Sequence, residues 1–179
     1  MSKNNSITTL KLARAGVIAG LYVVISLFLA PISSGPIQVR ISESLTILAL
    51  IYPESIVALT IGCALSNLIT GCAVYDIIFG SLITLVASIL TYFIGKLIKN
   101  TLLKIVVGGI FPIILNAFFL PLIWQWCYGF LDYVYIVQVG ILVIGQALSV
   151  YLIGTPIYLI IIKLQKKNIK FLLNENLNE

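Results

Sequence analysis

Between residues 15 and 170 this chain holds only four acids, Glu43, Glu54, Asp76 and Asp132, set in a succession of long apolar runs with short breaks. An α-helix rises 1.5 Å per residue, so roughly 20 apolar residues cross a hydrocarbon core about 30 Å thick. Of the 179 residues 60% are hydrophobic and 9% charged, against about 25% charged in soluble domains. A domain of this size has too much surface for its volume to hide so many apolar side chains from water. Lipid removes that conflict by solvating the outward faces, and the mean hydropathy of +1.13 agrees. The sequence predicts an all-α, polytopic membrane protein, one transmembrane domain over residues 1–179.

The breaks set the helix count. The first apolar run, Leu12 to Ala30, exceeds the usual apolar core of a signal peptide, about 7–15 residues, and Pro31 makes a poor cleavage site. A retained first helix over about 8–30 is expected. Pro31, Gly35 and Pro36 make 31–40 a loop. A short helix, 41–52, ends at Pro53, which suits the first turn of the next, 53–70. Further helices are expected over 76–95, 104–123 and 133–166, with aromatic residues 124–132 as a loop and 167–179 as a polar tail. Six helices place both termini on one side.

Charge placement supports that parity. Lys3, Lys11 and Arg14, then Lys96, Lys99 and Lys104, then Lys163, Lys166, Lys167 and Lys170 form three clusters flanking apolar runs. All three fall on the side of the termini, which the positive-inside rule makes cytoplasmic. The net charge of +5 therefore does not read as a nucleic-acid surface, since no basic face with interleaved aromatics is present.

Catalytic motifs are missing from the sequence. It has no histidine, so His-based triads and metal sites fail, and its three cysteines show no Cys-x-x-Cys spacing. Gly95-Lys96 lacks the earlier glycine and the following Ser or Thr of a phosphate loop. No metal, no cofactor and no enzymatic activity are expected. What remains is polar residues where lipid would penalise them. Gln38, Arg40 and Glu43 enter the short helix; Asn67 and Asp76 bracket the second outer loop; Asn116 and Gln146 lie within the last two helices; Trp124 and Trp126 follow the fifth. Together they can line one outward pocket for a planar, polar small molecule, the tryptophans stacking on it. Each also has a plainer reading. Glu43 suits a helix N-terminus, Arg40 a headgroup or Glu43 itself, and Asp76 an N-cap. Asn67 suits a C-cap, Asn116 and Gln146 interhelical bonds, and the aromatics an interfacial belt. Ala15 and Ala19, four apart on helix one, admit close approach of another helix, within this bundle or from another membrane protein.

Several stretches resemble the QueT family. They are Gly35-Pro36-Ile37-Gln38-Val39-Arg40-Ile41-Ser42-Glu43-Ser44-Leu45-Thr46, the earlier Ala19-Gly20-Leu21-Tyr22-Val23-Val24, Tyr52-Pro53-Glu54, Gly62-Cys63 with Asn67-Leu68, Tyr75-Asp76-Ile77-Ile78-Phe79-Gly80-Ser81-Leu82, and Gly154 with Pro156. The resemblance runs from about residue 11 to 165. It implies a six-helix S component, the substrate-binding subunit of an energy-coupling factor importer. Such a subunit captures a queuosine precursor, a 7-deazaguanine such as preQ1 or queuine, from outside. An energising module, a transmembrane T component and two ATPases, drives its release into the cell. The resemblance also implies that Ala15 and Ala19 contact the T component. In a deazaguanine site, Asp76 or Glu43 would take the ligand's donor edge, Arg40 or Gln38 its carbonyl, and Trp124 or Trp126 its ring face. Where family members often carry an acid after the glycine of helix six, this chain has Gln146 after Gly145, which leaves the choice of precursor open. An S component for another vitamin or nucleobase-like molecule, or a membrane assembly protein with no ligand, are the other readings.

Overall fold

The computed structural model describes residues 2–30, 40–129, 131 and 133–167, with side chains from residue 8 onward. Gln38, most of the first loop, Asp132 and the 168–179 tail lie outside the described residues. The described chain forms six helical rods: α1 (Ser2–Phe28), α2 (Ile41–Leu50), α3 (Glu54–Ile69), α4 (Asp76–Leu97), α5 (Thr101–Tyr128) and α6 (Tyr135–Gln165). Four of them, α1, α4, α5 and α6, are long and apolar enough to cross a membrane. Large hydrophobic side chains lie exposed along them, among them Leu21, Val86, Phe119 and Ile160, as expected for faces solvated by lipid. The protein is a multi-pass membrane protein.

The short second helix is the hub. It touches all five other rods, and every residue from Ser42 to Leu50 is buried. It is wound as a 3-10 helix throughout. At about 2.0 Å per residue, ten residues so wound reach roughly 20 Å, some 5 Å further than as an α-helix. Such a long 3-10 run is uncommon, and here the surrounding helices hold it. Its neighbours approach closely at glycines: Gly95 of α4 meets the Leu50 backbone, Gly108 of α5 the Leu50 side chain, and Gly154 of α6 the Ser44 carbonyl. A Cβ at Gly154 would stand 2.7 Å from that oxygen.

One end of the bundle brings Arg14, Tyr52, Glu54 and Gln165 together. Arg14 of α1 forms a 2.7 Å ion pair with Glu54 at the start of α3 and stacks over the Tyr52 ring at 4.6 Å. Gln165 at the end of α6 donates to the Tyr52 hydroxyl. Arg14 is therefore a buried structural cation, where the sequence had grouped it with the flanking lysines.

Helix interruptions are satisfied locally. Pro112 has no N–H to give the Gly108 carbonyl, and the Thr91 hydroxyl of α4 donates to that oxygen at 2.9 Å. The bond pins α4 to α5. Asn100 caps α5 by accepting from the amides of Leu102 and Leu103, so α5 begins at Thr101, ahead of the expected 104. It also runs on to Tyr128, through residues expected to form a loop, and ends at Gly129, whose φ of 75° is the left-handed stop glycine allows. Two π segments, Asp76–Gly80 and Leu148–Gly154, open α4 and interrupt α6.

Candidate functional site

Glu43 is the fully buried carboxylate at the heart of the bundle. It sits in the first turn of α2, where the hub helix leaves the loop. Tyr22 of α1 donates its hydroxyl to Glu43 Oε1 at 2.7 Å, and Thr84 of α4 approaches the same oxygen at 3.4 Å. Arg40 lies within electrostatic reach of this carboxylate and of Asp76. The Asn116 amide of α5 stands beside Glu43, yet no hydrogen bond closes on Oε2. Asn116 Nδ2 donates to the Pro112 carbonyl at 2.9 Å. That carbonyl only accepts, which fixes the amide's orientation and leaves Oδ1 open.

Gln146 of α6 is fully buried, with both amide groups open. It follows by one turn Val143, which packs against both apolar clusters of the bundle. Leaving a buried polar atom without a partner costs about 1–3 kcal/mol. Glu43 Oε2, Asn116 Oδ1 and the Gln146 amide are thus buried without a protein partner. The α4 face toward the bundle adds buried Thr84, Ser88 and Thr91.

Arg40 and Asn67 meet in a small polar cavity of about 50 Å³, which Tyr22, Ser42 and Ser66 also line. Tyr22 stands between this cavity and Glu43. Its space comes from Gly62 of α3, where a Cβ would press on the Tyr22 Cβ at 2.9 Å.

Asp76 has a different setting. Trp124 Nε1 donates to its Oδ1 at 2.8 Å and the Tyr128 hydroxyl to its Oδ2 at 3.0 Å. The Asp76 carbonyl accepts from Asn67 Nδ2 at 3.1 Å. The carboxylate's two bonds tie the end of α5 to the start of α4, in place of the expected N-cap. The Asn67 side chain joins α3 to that start rather than capping its own helix. Trp124 is held by Asp76 and packs beside Ile83, Ala117 and Leu142. Trp126 points away, 92% exposed, on an apolar groove between α4 and α5. Ala15 and Ala19 pack half-buried against the core, whereas Gly16 and Gly20 face open space.

Sequence reasoning missed Tyr22, since a tyrosine in an apolar helix is unremarkable by composition. It also missed Thr84. The available signal was positional: Tyr22 lies inside the apolar run of α1, away from the interfacial ends where tyrosines gather.

The fold is a bundle of apolar helices, four of them long enough to cross a membrane, around a buried cluster of polar side chains. The family model described as QueT transporter matches residues 12–163, and the chain belongs to the QueT transporter family. It is similar to a protein of Lactococcus lactis subsp. cremoris (strain MG1363) named "Queuosine precursor transporter QueT", with 41% identity over 80 residues. That match covers 44% of this chain and 47% of the relative, so it spans about half the relative's length. No solved structure matches the chain.

Proposed function

We propose that the chain is the substrate-binding S component of an energy-coupling factor importer, and that its cargo is a queuosine precursor of the 7-deazaguanine class. The observation that carries the reading is the set of open, buried polar atoms on Glu43, Asn116 and Gln146 inside a transporter-family bundle. Arg40 and Asn67 extend that set toward the end of the bundle opposite the basic clusters. By the positive-inside rule the basic end and both termini are cytoplasmic, and the Arg40 end faces outward. The sequence has no phosphate loop; in this reading ATP is hydrolysed on separate chains, and a T component docks on α1. Ala15 and Ala19 border the open side of that helix, which presents Gly16 and Gly20.

A cavity of about 50 Å³ has room for a few waters, and small-molecule pockets run to roughly 300–1,000 Å³. Binding therefore requires the cluster to widen around the ligand. Calorimetric titration of the purified full chain with preQ1, queuine and 7-deazaguanine tests the proposal. Saturable binding of at least one is expected, with uptake only when the energising module is present. Absence of binding for all three overturns it.

A further inference from the structure

The open atoms around Glu43 are of one kind. Glu43 Oε2 and Asn116 Oδ1 are both acceptors, both fully buried, and carried on adjacent side chains of α2 and α5. The two oxygens cannot donate to one another, and the Asn116 amide N–H that lies against Glu43 also donates to the Pro112 carbonyl. They need donors, and two neighbouring acceptors suit two neighbouring donors on a planar ligand. A ring N–H beside an exocyclic amine, the edge of a 2-amino-pyrimidin-4-one, is such a pair. A ring with N–H and no amine offers one donor and leaves an acceptor buried and unsatisfied.

Tyr22 explains why Oε2 is the open oxygen. Its hydroxyl donates to Oε1 at 2.7 Å, and Gly62 gives its ring room to lie there. Thr84 approaches from α4 on the same oxygen. The Thr84 hydroxyl has a shorter bond to the Gly80 carbonyl, 3.0 Å against 3.4 Å, so Tyr22 is the main donor to Oε1 and Oε2 is left open. Asp76 offers no comparable acceptor, because both its oxygens are already engaged by Trp124 and Tyr128.

We propose that Glu43 Oε2 and Asn116 Oδ1 are the acceptor pair that reads the ligand's ring N–H and exocyclic amine, and that Tyr22 is the positioning residue that aims the carboxylate. The inference rests on the reading that this cluster is the substrate site. It makes the exocyclic amine, rather than the substituent on the five-membered ring, the feature the buried carboxylate selects.

The test compares 7-deazaguanine with 7-deazahypoxanthine, which lacks only the exocyclic amine, by titration of the full chain in lipid nanodiscs. The wild type should prefer 7-deazaguanine on the order of 100-fold, since sites built to hydrogen-bond a group reject analogues without it. Tyr22→Phe should shrink that preference roughly tenfold, as expected when a charge-assisted bond that orients the acceptor is removed. A purely structural role for Tyr22 would weaken both ligands alike and keep the ratio. Equal wild-type affinity for the two compounds, or an unchanged ratio in Tyr22→Phe, overturns the inference while the transport reading stands. Failure of both compounds and of preQ1 and queuine to bind removes that reading, and the inference with it.

Discussion

Glu43 and Asp76 are two carboxylates in one bundle with opposite settings. Asp76 is half-buried at the end of the bundle, and both its oxygens are filled, by an indole N–H and a phenol. Glu43 is fully buried, and one of its oxygens is not. Burial alone would favour satisfying the deeper group first, because an unmet acceptor costs more away from water. The protein does the reverse. The difference separates a carboxylate whose two oxygens tie helices together from one that keeps an oxygen open, the one we propose the ligand meets.

Substitutions can break or sharpen that contrast. The largest effect is expected from Glu43→Gln. It replaces half the carboxylate with a donor and should weaken binding of 7-deazaguanine by about 2–3 kcal/mol, roughly 30- to 150-fold, the range for a bond to a charged group. Isothermal titration reads it, and wild-type affinity would end the special status of Glu43. Asn116→Leu removes the neutral acceptor and should cost binding about 1–1.5 kcal/mol, with Glu43 still in place. Asp76→Asn is expected to act on stability instead. Losing charge-assisted bonds to Trp124 and Tyr128 should lower unfolding stability by about 1–2 kcal/mol, visible as a lower melting temperature in detergent, with ligand affinity changed less than about threefold. A loss of affinity as large as that of Glu43→Gln would make the two carboxylates equivalent. Trp126→Ala should leave both quantities unchanged, since that side chain faces lipid; a binding defect would bring the tryptophan back to the ligand's ring.

The helices were legible because apolar runs and their Pro and Gly breaks are local signals. Helix parity puts Arg14, Gly95 and Gln165 on one side, and the packing at Tyr52 and Leu50 brings those ends together. The end of α5 was not legible. Trp124 and Tyr128, four apart, remain helical while both donate to Asp76, 48 and 52 residues away in sequence. A pattern read along the chain cannot see that partner. Nor can it foresee the 3-10 winding of α2, a helix packed closely against glycines of three other helices. For the site, Glu43, Asn116 and Gln146 stand out as polar letters in apolar runs. What separates Glu43 from Asp76 is which oxygens are already occupied, a property of tertiary packing that no spacing encodes.

The most direct measurement is a structure of the full chain bound to 7-deazaguanine. The exocyclic amine or ring N–H is expected within about 2.7–3.1 Å of Glu43 Oε2, with Tyr22 still on Oε1 and Asp76 still bonded to Trp124 and Tyr128. A ligand seated on Asp76, with those two bonds broken and Glu43 untouched, would contradict it.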